Sequence, residues 1–271
     1  MQTLHPARPS NLRGSLTSLL FCAVVLSTSL ASAQTTLHLY RGGEDDTGSV
    51  AGDVHAGLLV DAAGNTNLAA AFGQYTSSTP GPASTLAYGF NQNNSNGAFA
   101  GGQTNLSLTN TSSFAMELWF KATSLFFNQA LFHNGRIGIY IFEGQVAIHR
   151  AGIALDNIGA AQQDVWTHVA FAYDDGTLTG FLNGTQVNIG TELSFFNPIT
   201  GFELLLALSP SSSDQFRGDI DHARIFSFAP GTFNASMLSY PASAIPEPAT
   251  FTALAGLAAL GLAATRRRRA A

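Results

Sequence analysis

Between Val165 and Gly190 the chain reads VWTHVAFAYDDGTLTGFLNGTQVNIG. Three segments of alternating apolar residues are cut apart by an Asp-Asp-Gly turn and an Asn-Gly turn. Turns this short reverse the chain only when their central residues take positive φ, which Asn, Asp and Gly tolerate, and their twist matches that of paired strands. The stretch predicts strand, turn, strand, turn, strand: an antiparallel meander. It commits the chain to β structure before anything else is read.

The remaining segments extend the pattern. SFAMELWFKA (113–122) places Phe114, Met116, Leu118 and Phe120 on one face and Ala115, Glu117, Trp119 and Lys121 on the other. RIGIYIFEGQVAIHR (136–150) reads as two strands joined at Glu143-Gly144, and TNLSLT (104–109) alternates. FELLLALS (202–209) is almost continuously apolar and predicts a strand buried on both faces. GDIDHARIFSF (218–228) is a late strand, and PGTFNASMLS (230–239) suggests one short helix with Pro230 near its start. Residues 42–102 are less regular, and NQNNSNG (91–97) is an exposed, turn-prone loop. Helical periodicity is scarce and no repeat is present. With 45% hydrophobic residues and only 11% charged, the chain has material for a sizeable core. The expectation is one all-β antiparallel sandwich spanning 34–240.

The two ends are of another kind. Arg8 and Arg13 precede the apolar segment Leu16–Leu30, and Ala31-Ser32-Ala33 is a small-residue cleavage pattern. Residues 1–33 therefore read as a signal peptide, cleaved after Ala33 with Ala31 at the preceding small site. The single cysteine, Cys22, lies inside that segment. The mature domain then has no disulfide, thiolate nucleophile or cysteine-ligated metal. At the other end a linker, 241–248, carries Pro246-Glu247-Pro248. Residues 249–265 follow as an apolar run, and Arg266, Arg267, Arg268 and Arg269 open the last segment, 266–271. As helix, the run spans about 25 Å against a hydrocarbon core of about 30 Å, a marginal transmembrane helix rich in Ala and Gly. Its arginines would stay cytoplasmic.

Between 34 and 245 six Lys or Arg face sixteen Asp or Glu, a formal charge of −10. Such a domain is repelled by nucleic acid and anionic lipid. It is compatible with calcium and with neutral glycans.

FAMELWFKA, VWTHVAFAYDDGTLTGFLNG and FRGDIDHARIFS, in this order and at these gaps, resemble the laminin G-like, concanavalin A-like jellyroll family. LYRGGEDDTGSVAGD and VDAAGNTN resemble its opening strand and its D-x-x-G-N turn. The resemblance implies a jellyroll sandwich with Trp119 and Trp166 in its core. It also implies one structural calcium ion where first and last strands meet, held by Asp61, Asn65 and Asp221. A laminarinase-like hydrolase on this fold would carry two glutamates four residues apart with an aspartate between them. No Glu-x-Asp-x-x-Glu occurs, and the residue after Asp221 on the same face of its strand is Ala223. No G-x-S-x-G, H-E-x-x-H or G-x-x-x-x-G-K-[ST] motif occurs either. His168 reads as a packed strand residue. Glu44, Asp45, Asp46 and Asp53 read as a solvated loop. One ring from each of the pairs Phe126-Phe127 and Phe195-Phe196 is a candidate for stacking on a sugar, core filling being the alternative.

The tail resembles the PEP-CTERM sorting signal of Gram-negative bacteria. It implies recognition by an exosortase, with the C-terminal helix in the inner membrane beforehand and the cell surface or extracellular matrix afterwards. The functional expectation is a non-catalytic protein that binds carbohydrate or protein in the envelope or polysaccharide matrix. Its alternatives are a matrix component without a defined ligand and a divergent polysaccharide hydrolase or lyase.

Overall fold

A computed structural model of the chain describes residues 34–240, apart from 56, 81–83, 91–98, 104–106, 109–112, 151–153, 192–198, 201–202 and 209–213. The first strands are β1 (Thr35–Tyr40), β2 (Leu58–Leu59), β3 (Leu68–Ala71), β4 (Gln74–Thr76), β5 (Ala87–Gly89) and β6 (Phe99–Gln103). They are followed by β7 (Ser107–Leu108), β8 (Ser113–Ala122), β9 (Gln129–His133), β10 (Ile137–Phe142), β11 (Gln145–Arg150) and β12 (Ala154–Ala160). The last are β13 (Thr167–Asp174), β14 (Thr177–Leu182), β15 (Thr185–Thr191), β16 (Ile199–Thr200), β17 (Glu203–Leu206) and β18 (Gly218–Phe228).

One sheet has the order β15-β14-β13-β8-β18-β5-β4, with β1 also paired to β18; we call it the strap sheet. The other has the order β12-β11-β10-β9-β17-β6-β3-β2, and β7 pairs with β16 separately. This is an all-β antiparallel sandwich consistent with a concanavalin A-like jellyroll. The short turns form as expected. Glu143-Gly144, Asp175-Gly176 and Asn183-Gly184 all have positive φ, between 46° and 83°, the primed-turn conformation that closes two-residue hairpins.

The core lies between the sheets. Phe114, Met116, Leu118 and Phe120 of β8 are fully buried there with Val169, Phe171 and Tyr173 of β13, and Ile139, Ile141, Val146 and Ile148 face them from the opposite sheet. Leu204, Leu205 and Leu206 of β17 are all buried, as their continuous hydrophobicity predicts.

The strap sheet also covers part of its outer face. A second apolar cluster joins Ala115, Ala170, Ala172, Phe181, Phe226 and Phe228 to Met237 and Leu238. The segment after β18 lies across the sheet as a strap. The short helix expected over 230–239 is only a 3-10 turn, Ala235–Met237, capped by the Asn234 side chain on Ser236 N–H. Burying Met237 and Leu238 on the sheet outweighs local helical preference, because a lone turn of helix is marginal in water.

Two further expectations are corrected. Trp119 and Trp166 are half-buried and do not belong to the core. The alternation that buries Leu118 and Phe120 sends Trp119 outward. The acidic cluster is not a solvated loop. Glu44 Oε1 accepts from Ser84 Oγ and from the N–H groups of Thr85 and Leu86. Buried Asp46 accepts from Val60 N–H and the Tyr75 hydroxyl. Of the four, Asp53 is exposed as expected. The signal peptide and residues 241–271, including the expected membrane helix, lie outside the described residues. Among the described residues no helix is long and apolar enough to cross a membrane.

Candidate functional site

The outer face of the strap sheet divides into three parts, set by side-chain alternation along β8 and β18. Register pairs Phe226 with Ala115, Arg224 with Glu117, Asp221 with Trp119 and Asp219 with Lys121. At one end lies the apolar bed under the strap. In the middle is a buried charge cluster, and at the other end an open groove.

Glu117 is the hub of the middle part and has no solvent exposure. Its carboxylate accepts from Ser239 N–H at 2.8 Å, Ser239 Oγ at 3.0 Å and His168 Nε2 at 3.0 Å, and lies 2.6 Å from Arg224 Nε. Burial pushes the Glu117 carboxyl upward, but the His168 hydrogen bond, the Arg224 charge and the Ser239 N–H outweigh it and hold it below the usual range. His168 is a packed strand residue, as expected, and its donation to Glu117 requires the proton on Nε2. Arg224 also donates to Met237 O and lies 4.1 Å from the Phe226 ring centre. Tyr240 closes the strap by stacking on Trp119, with centroids 5.7 Å apart and planes 10° apart, and it also touches His168.

Beyond Trp119 no described residue covers the face. A groove of about 770 Å³ runs across β8, β18, β5 and β4, lined among others by Gln74, Thr76, Ser78, Lys121, Asp164 and Asp219. Cross-strand pairing builds its floor: Lys121 opposite Asp219, Asp219 opposite Gly89, and Gly89 opposite Gln74. Lys121 Nζ lies 2.9 Å from Asp219 Oδ2, donates to Ser78 Oγ, and sits 5.6 Å from the Trp166 ring centre. The groove thus presents hydroxyls, an amide, one ammonium and two carboxylates. Thr123 also lines it, where the chain leaves β8 for the loop holding Phe126 and Phe127.

The candidate stacking rings Phe126 and Phe127 are 89% and 62% exposed, so both leave the core. Arg217 lies over the Phe127 ring at 5.6 Å. Phe195 and Phe196 lie outside the described residues, as do Pro246, Glu247, Pro248, Arg266–Arg269, Ala31 and Ala33.

The three candidate calcium ligands have separate partners. Asp61 Oδ1 accepts from Leu39 N–H and Ala63 N–H, and Oδ2 from His38 Nδ1, Thr66 N–H and Asn65 N–H. That is an Asx-type hub for the turn, with its oxygens already facing donors. Asn65 Nδ2 donates to Leu37 O. Asp61 therefore does not fit a calcium ion, whereas the Asn65 bond uses the amide nitrogen and not the oxygen that a cation would take. Asp221 is fully buried, against Gly42. Its Oδ1 takes His222 N–H and His222 Nδ1, and Oδ2 has no partner. Among the described residues no three His, Cys, Asp or Glu gather closely enough to hold a metal.

The sequence reading missed the groove, although alternation along 113–122 had put Lys121 on the outer face. It also missed Ser239 and Tyr240, whose only signal was their place just before the proline-punctuated linker.

Comparison with known proteins agrees with this fold. No curated protein matches the chain in sequence. In structure it is similar to domain 4 of AbnA, a GH43 extracellular arabinanase from Geobacillus stearothermophilus, solved with arabinotriose. The TM-score is 0.55 at 16% identity, covering 75% of this chain and 96% of that one. It is also similar to the binding domain of botulinum neurotoxin serotype G, with a TM-score of 0.51 at 10% identity. That match covers 75% of this chain and 49% of the other, so the chain spans about half of it. At these identities the likeness is one of fold. Residues 244–269 match the PEP-CTERM protein-sorting motif, which implies exosortase processing and marks export to the cell surface or extracellular space. Residues 91–231, just over half of the chain, match the laminin G model of the concanavalin A-like lectin/glucanases; the chain belongs to that superfamily.

Proposed function

We propose that the domain is a non-catalytic binder of carbohydrate, and that the groove on the strap sheet takes the ligand. The observation that carries this is the groove's lining. Gln74, Thr76, Ser78 and Thr123 supply amide and hydroxyl groups that donate and accept, which is what a polyhydroxylated ligand needs. Asp219 is committed to Lys121, and no histidine is among the described residues that line the groove. That lining serves recognition better than proton transfer. The structural relative solved with arabinotriose supports the same ligand class.

Residues 34–245 on a glycan array, followed by titration of the best neutral oligosaccharide, test the proposal. Gln74→Ala and Ser78→Ala should each weaken binding about three- to tenfold, the worth of one or two polar contacts, without moving the melting temperature. An array with no hit from a folded domain would favour the matrix-component alternative. Release of new reducing ends from a polysaccharide would favour the hydrolase.

We also propose a calcium site at Asp221. A fully buried carboxylate oxygen without a donor demands a partner, and Glu44 Oε2 is a second such atom. Both carboxylates act on the same neighbours, Tyr88 and His222. Calcium takes such oxygens together with backbone carbonyls. Millimolar calcium should raise the melting temperature by about 5 °C or more over EDTA, and Asp221→Asn should abolish the difference. Equal melting curves would remove the site.

A further inference from the structure

The floor of the groove continues past Lys121 and Asp219. Thr123 follows the end of β8, and Arg217 precedes the start of β18. Gly218 pairs with Ala122, and Thr123 N–H donates to Arg217 O at 2.9 Å, so the ladder holds for one more step. Alternation puts Thr123 and Arg217 on the outer face with Lys121 and Asp219, and both are exposed. Thr123 lines the groove, and the Arg217 guanidinium lies 5.6 Å from the centre of the Phe127 ring. The groove therefore runs without a break onto the two exposed phenylalanines.

The loop that carries these rings is pinned from inside. Gln129 is only 1% exposed. Its Oε1 accepts from Arg217 N–H at 2.9 Å, and its Nε2 donates to Ser124 O at 2.7 Å. Leu125 packs against the main core. A buried amide and a buried-side leucine thus hold the loop, while Phe126 and Phe127 stand in water. A slack loop would fold its rings onto the nearest apolar surface. A pinned loop keeps them presented, so a ligand that covers them pays little ordering entropy.

Arg217 differs from the other cations. Arg41, Lys121, Arg150 and Arg224 each pair with a carboxylate. Arg217 pairs with none among the described residues. Asp214, three residues before it, exerts its charge on Tyr140 and His149 of the other sheet. Asp164 stands on the opposite flank of β8, where its N–H reaches Ala122 O. That is two strand spacings, or about 10 Å, from Arg217. The domain's charge of −10 is screened over about 8 Å at physiological ionic strength. What stands closest to Arg217 therefore decides its preference. A guanidinium stacked on a ring keeps its in-plane N–H groups for a ligand, and their fork matches a carboxylate.

We infer that Arg217 with Phe126 and Phe127 forms an acidic-sugar subsite at the end of the groove. A carboxylated sugar packs its C–H face on the exposed Phe126 ring and sets its carboxylate on the guanidinium held over Phe127. The inference rests on the groove reading and gives it a ligand class, a uronate-containing glycan, where net charge alone suits neutral ones.

Oxidation of a sugar's C6 hydroxyl to a carboxylate keeps ring and linkage and adds the charge. Full-length protein in neutral detergent is therefore titrated with tetrasaccharides of glucose, galactose and mannose and with the same tetrasaccharides oxidised at C6. For the backbone that binds best, the oxidised form should bind about three- to tenfold tighter than the neutral one, the worth of one partly exposed charge-assisted pair. Added salt should shrink that advantage. Arg217→Gln should abolish it, leave the neutral form bound as before and leave the melting temperature unmoved. Phe126→Ala should weaken both forms alike, about threefold, because the ring packs on the sugar whatever its charge. Equal affinity for the two forms, or an advantage that survives Arg217→Gln, overturns the subsite. If Gln74→Ala still weakens the neutral form in that event, the groove reading stands and the subsite alone falls. If neither form of any backbone binds, both fall.

Discussion

Glu117→Ala should destabilise the domain by about 3–5 kcal/mol, the largest loss expected from one outer-face substitution. The carboxylate is wholly buried and serves Arg224, His168 and both polar groups of Ser239. Its own desolvation argues that it contributes little net stability against an apolar residue of its size. Its removal is different, because it strands a guanidinium that is 9% exposed and leaves the Ser239 N–H without its acceptor. That stranding cost wins. For a domain of this size the melting temperature should drop by about 10 °C or more, readable by urea and thermal unfolding. The double variant Glu117→Leu with Arg224→Met should recover much of the loss, because it removes both charges together. A Glu117→Ala variant as stable as the parent would show that the cluster is wet and open. A double variant worse than the single would show that the ion pair itself holds the strap.

The second large effect is with acid. Burial lowers His55 from 6.5 to about 4 and His133 to about 3, the latter helped by neighbouring His149. Both must stay neutral in the folded domain. His55 lies in a cage of Tyr75, Tyr88 and Phe90, with ring centroids at 4.9, 5.5 and 5.6 Å. His133 Nδ1 accepts from Gly135 N–H, so its Nε2 carries the proton and donates to His149 Nδ1. Below pH 6.5 the unfolded chain takes up protons that the folded one refuses, so stability falls as pH falls. The slope is at most about 1.4 kcal/mol per pH unit per histidine, or roughly 4–6 kcal/mol for the pair by pH 4. His149, also lowered by burial, adds in the same direction. His222 opposes them. Its hydrogen bond to Asp221 raises it, so its contribution is full below 6.5 and fades only as pH rises through its folded value. Chemical denaturation between pH 4 and 8 should therefore show a steep decline below about 6.5 and, above it, only the shallow loss that comes as His222 gives up its proton. His55→Phe, which fills the same aromatic cage without a titrating ring, should remove about half of the decline. An unchanged slope in that variant would assign the acid lability elsewhere.

Much of the fold was legible because it is local. Asn183-Gly184, Asp175-Gly176 and Glu143-Gly144 announce hairpins through φ values that few residues tolerate, and the alternation of Phe114 to Phe120 states which face is buried. The same alternation separated Glu117, Trp119 and Lys121 from the core. It could not say what they would meet. The resemblance to jellyroll proteins then placed both tryptophans inside, against the alternation, and the alternation prevailed.

The site required the tertiary structure because its parts are joined by register between distant strands. Lys121 meets Asp219 across 98 positions, and Glu117 meets Ser239 across 122. Nothing local encodes either pairing. Asp61 shows the same limit from the other side. Its D-x-x-G-N setting suited both a calcium ligand and a turn hub, and only the N–H groups converging on its oxygens decided for the turn. By itself the sequence determined that this is an antiparallel sandwich with a sorting tail, since turns and termini are read within a few residues. Only the folded chain decided which part of the outer face is sealed by the strap and which stays open, because that depends on strand order and on where the last strand delivers the C-terminal segment.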